Sequence, residues 1–166
     1  MEATTETQLA ASPNRATVER TSDRETVVTR TVSGPARLVF DAWTNADLLK
    51  RWWSPKSFPI ELLSVDTDPR VRGKYRLEYG YEGSTMEFFG RYLEVTPPSR
   101  LVWTNDEGEE GAVTTVTFED QGGKTLLTFH EVYPSREALE EALQGSAAGL
   151  PEQLEQLDEL LSSKGE

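Results

Sequence analysis

Between Leu62 and His130 the chain repeats one unit, a short β-branched or aromatic run closed by a turn, and that repetition points to an antiparallel sheet. Leu62-Leu63-Ser64-Val65 ends at Asp66-Thr67-Asp68-Pro69. Lys74-Tyr75-Arg76-Leu77-Glu78-Tyr79 alternates strictly, which sets Tyr75, Leu77 and Tyr79 on one face of a strand. The pattern continues from Met86 to Val95, stops at Pro97-Pro98, and resumes over Arg100–Thr104. A polar loop then leads to Val113–Phe118, and the turn Asp120-Gln121-Gly122-Gly123 leads to Lys124–His130. One further β-branched run, Thr26–Val32, precedes all of these.

Helical signals bracket the sheet. Ser33-Gly34-Pro35 breaks the first strand and places Pro in the first turn of a helix, with Ser33 or Gly34 as its cap. That helix would bury Leu38, Val39, Ala42 and Trp43. Thr44-Asn45-Ala46-Asp47 has the form of a capping box, so a second short helix carries Leu48, Leu49, Trp52 and Trp53 until Ser54-Pro55 stops it. Adjacent tryptophans on a helix cannot face the same way, so one enters the core and the other lies at its rim. From Ser135 onward the chain is rich in Glu, Ala, Leu and Gln. Leu150, Leu154, Leu157 and Leu161 form one stripe, with Glu152, Glu155, Asp158 and Glu159 on a solvated acidic face opposite. Pro151 either starts this helix or kinks it. The order of strand, two helices, about six strands and helix is α+β, with a curved sheet whose concave side needs a cover.

Composition narrows the function. The net charge of the 166 residues is −12, and residues 131–166, with nine acidic and two basic side chains, supply −7 of it. Without a basic patch such a surface repels phosphate, so no nucleic-acid partner is expected. Zero cysteines exclude disulfides and thiol chemistry, and a single histidine, His130, leaves no histidine cluster for a metal. No apolar run approaches the ~20 residues of a membrane span, and the N-terminus shows no signal-peptide pattern, so a cytoplasmic protein without a membrane partner is expected. Residues 1–24 contain no aromatic side chain and are expected to be a disordered tail ahead of a domain spanning 25–162. His130, as a general base, has no nucleophile motif beside it. Asp106-Glu107-Gly108-Glu109-Glu110 lacks the alternating spacing of a calcium loop and reads as a hairpin tip.

Several runs together resemble one family. Leu38-Val39-Phe40-Asp41-Ala42-Trp43-Thr44 and Leu48-Leu49-Lys50-Arg51-Trp52-Trp53-Ser54-Pro55 are similar to the signature of homologues of the heat-shock-protein-90 ATPase activator, within the START-like helix-grip superfamily. Gly73–Leu77, Tyr92–Thr104, Val116–Asp120 and Lys124–Thr128 follow in the family's order. Two departures stand out: Leu150 replaces the usual Trp after Gly149, and Arg72 replaces the usual Gly before Gly73. The resemblance implies a helix-grip fold, in which a curved antiparallel sheet wraps a long C-terminal helix and leaves a cavity between them. On that fold the candidate ligand-binding residues are Trp53, Phe58, Tyr75, Leu77, Tyr79 and Met86, together with Phe88, Trp103, Phe118, Phe129, Leu150 and Leu154. The leading expectation is non-enzymatic binding of a small, mainly apolar molecule, with no cofactor, no catalytic residue and no metal. A second expectation, implied by the family, is stimulation of a heat-shock-protein-90 chaperone's ATPase. A third is the cyclase or dehydratase chemistry of some START-like relatives.

Overall fold

A computed structural model describes residues 16–58, 60–105, 112–144 and 149–164. The acidic run Asp106–Glu110 and residues 1–15 of the expected tail lie outside the described residues.

Eight strands form one antiparallel sheet: β1 (Thr17–Ser22), β2 (Glu25–Ser33), β3 (Glu61–Thr67), β4 (Lys74–Tyr81), β5 (Ser84–Thr96), β6 (Arg100–Thr104), β7 (Val113–Asp120) and β8 (Lys124–Val132). Their spatial order is β1-β2-β8-β7-β6-β5-β4-β3. Among the described residues four helices accompany them: α1 (Ala36–Thr44), α2 (Ala46–Trp52), α3 (Arg136–Gln144) and α4 (Leu150–Lys164). Strand β1 corrects the expectation of a disordered segment reaching residue 24. Its side chains are almost all exposed, but its backbone pairs with β2 from Thr17↔Thr29 to Ser22↔Glu25. Composition registers side-chain burial and is blind to a strand held by main-chain hydrogen bonds at a sheet edge.

The long strand β5 links two parts of the sheet. Ser84–Arg91 pairs with β4, and Tyr92–Thr96 pairs with β6 after a bulge at Leu93. Gly90 sits at the changeover, where a Cβ would fall 1.9 Å from the Thr104 carbonyl oxygen. Only a residue without a side chain lets the two backbones approach this closely. The Tyr75 hydroxyl donates to that same carbonyl at 2.8 Å.

Both caps proposed for the helical hairpin shift by a residue or come from elsewhere. Helix α1 follows Pro35 directly, and the Ala36 N–H donates to Asp120 Oδ2 at 3.0 Å, so the cap is a carboxylate from the β7–β8 turn. The N–H groups of Ala36 and Gly122 hold the Asp120 carboxyl below its ordinary range. At α2 the cap is Asn45, which accepts from Leu48 N–H at 3.1 Å, while the Thr44 hydroxyl donates back to Phe40 O at 3.0 Å. The pair of tryptophans divides as expected. Trp52 is fully buried, with its indole N–H donating to Ala42 O at 2.9 Å, whereas Trp53 is only half-buried.

The described residues of the C-terminal region include two helices, α3 and α4. Ser135 caps α3 by accepting from Ala138 N–H at 3.1 Å, and Pro151 stands in the first turn of α4, which it starts. Leu150, Leu154, Leu157 and Leu161 are all buried, as their spacing predicts. The acidic face is only partly solvated. Asp158 accepts from Ser33 N–H at 2.7 Å and pairs with the buried Arg30 at 3.2 Å, and Glu152 takes the Ser57 N–H at 2.9 Å. Two buried glutamines complete the docking. Gln156 donates to the carbonyls of Trp52 (2.8 Å) and Ser54 (2.9 Å) and accepts from Lys56 N–H (2.9 Å), while Gln153 donates to Trp53 O.

Replacing Trp52 by Ala is expected to cost about 3–5 kcal/mol and replacing Trp53 by Ala less than about half of that, because only the first empties a closed site. Denaturant melts of the two variants check it, and equal losses would contradict this orientation of α2.

Candidate functional site

A cavity of about 720 Å³ lies between the bent sheet and the helices. Tyr75, Leu77 and Tyr79 of β4 and Met86 and Phe88 of β5 form one wall, with Leu77 directly opposite Phe88 and Tyr79 opposite Met86. Trp103 of β6 and Phe129 of β8 extend it across the sheet. The facing wall comes from Trp43 of α1, Trp53 at the end of α2, Phe58, and Leu150 and Gln153 of α4. Met86 keeps 39% exposure and marks a place where this wall meets solvent.

Ten of the twelve residues named from sequence therefore line one space; Phe118 and Leu154 do not. Phe118 packs edge-on against Phe40 at 5.4 Å and Trp43 at 6.1 Å, beneath α1. Leu154 is fully buried, one turn further into the core than Leu150. A helical stripe specifies a face, but it does not say at which turn the face passes from cavity to solid core. Trp43 joins the two regions, with ring contacts to Trp52 (4.8 Å), Trp103 (5.9 Å) and Phe129 (6.0 Å). Its buried indole N–H has no acceptor among the described residues.

The polar end of the cavity was not anticipated. Glu131, Tyr133 and Asn105 line it. One Glu131 oxygen accepts from the Tyr133 hydroxyl, and the other accepts from Thr114 Oγ1 at 2.8 Å. Thr114 in turn accepts from Asn105 Nδ2 at 3.0 Å. Burial pushes the Glu131 carboxyl above its ordinary range, and the hydroxyls of Tyr133 and Thr114 and the charge of His130 pull it back in part. Burial likewise raises the phenols of Tyr79 and Tyr133, which stay protonated donors. A signal for Glu131 was present in the sequence. The inward parity of Thr125, Leu127 and Phe129 on β8 continues to Glu131, placing a carboxylate on an apolar face. His130, of opposite parity, points away and lies 3.0 Å from Glu25 Oε1. Among the described residues no cluster of His, Cys, Asp or Glu is arranged to hold a metal ion, and no helix is long and apolar enough to cross a membrane.

An antiparallel sheet packed around a C-terminal helix, with a cavity between them, is the helix-grip, START-like fold. Residues 33–162 match the family described as activator of Hsp90 ATPase homolog 1-like proteins, and the chain belongs to that family. Among solved structures it is similar to a protein from Rhodobacter sphaeroides (21% identity, 89% of this chain and 99% of that one, TM-score 0.81). It is also similar to proteins from Nitrosomonas europaea (23%, 86% and 96%, TM-score 0.77) and Staphylococcus epidermidis (27%, 89% and 94%, TM-score 0.72). No curated protein matches the sequence.

The raised carboxyl has a consequence for stability. At pH below about 4.5 Glu131 is protonated whether the chain is folded or not, and above that the unfolded chain loses the proton first. Native stability attributable to this group therefore falls as pH rises through the native value. Melting temperatures of the wild type and Glu131→Gln, compared from pH 4 upward, are expected to diverge in favour of the variant. Parallel curves would contradict a desolvated carboxyl here.

Proposed function

We propose that this protein binds a small, mainly apolar molecule in the cavity between sheet and α4, without transforming it. The cavity itself carries this reading: about 720 Å³, walled by aromatic and aliphatic side chains from four strands and four helices, with polar groups gathered at one end. Small-molecule pockets span roughly 300–1,000 Å³ and share that composition. Each 100 Å² of apolar ligand surface removed from water contributes about 2.5 kcal/mol before ordering costs. The sole histidine is spent on Glu25 on the other face of β8, which supports binding over catalysis.

Membership of the family supports a second reading, acceleration of a heat-shock-protein-90 ATPase. No acceleration of the chaperone's turnover at saturating protein would remove it.

The binding reading is tested by titrating the native protein with an apolar fluorescent dye while following tryptophan emission and melting temperature. Saturable binding and a rise in melting temperature are expected. Ala138→Trp, which adds bulk to the cavity from α3 and removes no core side chain, is expected to abolish binding with the fold retained. Absence of any saturable binding to the native protein would overturn the proposal.

A further inference from the structure

We infer that the ligand of this cavity is an apolar amine, its ammonium group seated against Glu131 and its hydrocarbon body against the aromatic wall. The inference rests on the cavity being a ligand site and adds the chemical class of the ligand.

The charge around the cavity comes first. Apart from tyrosine hydroxyls, the ionisable groups among the described lining residues are Glu131 and Glu141, with no Lys, Arg or His among those residues. A carboxylate or phosphate ligand would enter a low-dielectric space beside a like charge with no cation to offset it. A cationic ligand meets the opposite situation. Glu131 stands as a carboxyl that feels the charge of His130, whose side chain projects from the other face of the strand toward Glu25. A ligand ammonium would remove the cost of burying the unpaired carboxylate, as a buried ion pair does only when its geometry is good.

The carboxylate is held in place by its neighbours. Each carboxylate oxygen has two lone pairs, and Glu131 spends one on each side, on Tyr133 and on Thr114. Thr114 is itself held by Asn105, so the rotamer of the carboxylate is fixed before any ligand arrives. The remaining lone pairs accept from a donor in the cavity, and a carboxylate binds an N–H donor on a cation more strongly than a neutral hydroxyl.

The sheet register supplies the rest. Trp103, Thr114 and Glu131 are paired in one row across β6, β7 and β8, so all three project from the same face. Phe129 lies two residues before Glu131 on that face and 6.2 Å from Trp103, ring to ring. An ammonium on Glu131 thereby shares its side of the sheet with the Phe129 and Trp103 rings, the groups able to attract a cation, and the body attached to it extends toward Trp103.

The test uses three probes with one skeleton: naphthylethylamine, naphthylethanol and naphthylacetate, titrated at pH 7 into the wild type and into Glu131→Gln. The amine is expected to bind the wild type at least about tenfold more tightly than the carboxylate, and to lose about tenfold in the variant while the alcohol changes little. Equal binding of all three, or an amine affinity unmoved in a folded variant, would overturn the amine assignment and leave cavity binding intact. Failure of all three to bind would overturn both. If Glu131→Gln does not fold, the order of the three affinities on the wild type decides the matter, a preference for the carboxylate or alcohol refuting it.

Discussion

The arrangement depends on how α4 is fixed to the end of α2. A helix terminus leaves carbonyls without partners, and here those of Trp52, Trp53 and Ser54 are taken by two buried glutamine side chains of α4. Gln156 uses both ends of its amide, donating twice and accepting once from Lys56, so neither helix can rotate or slide without stranding buried polar groups. At the opposite side of α4, Asp158 binds the main chain of Ser33 and the guanidinium of Arg30. The helix is thus tied to α2 and to β2, and the cavity lies between it and the strands β4 and β5.

From these ties the division between core and cavity follows. Under the middle of α4, Leu154 and Leu157 are closed in with no exposure, and Trp52 and Val39 are equally buried. Such packing contributes about 1.5–3 kcal/mol per large side chain, which allows the protein to leave the space next to β4 and β5 unfilled. Trp43 stands on the boundary, with three tryptophan neighbours and two phenylalanines around it. Rigid aromatic walls of this kind keep a cavity from collapsing, because large rings cannot move into the space without displacing one another.

What sequence made legible and what it did not divide along physical lines. Strand alternation, the Leu150–Leu161 stripe and the opposite orientations of Trp52 and Trp53 depend on backbone periodicity, which is local. The cap on α1 was misplaced because Asp120 is 84 residues away from Ala36, and nothing local reports a carboxylate arriving from the sheet. The same holds for Glu152 and Asp158, whose spacing predicts a solvated face and which instead bind Ser57 and Ser33. Strand β1 escaped notice since its contribution is made by the main chain. Glu131 differs, because parity along β8 places it inward beside Phe129, so its position is legible from alternation alone.

The central claim is that the space between β4, β5 and α4 holds a ligand. A crystal of the protein soaked with an iodinated naphthalene measures this directly through the anomalous signal of iodine. The account predicts a single strong peak among Trp53, Tyr79, Phe88 and Leu150. Protein side chains filling that space, with iodine only at surface positions, would contradict it.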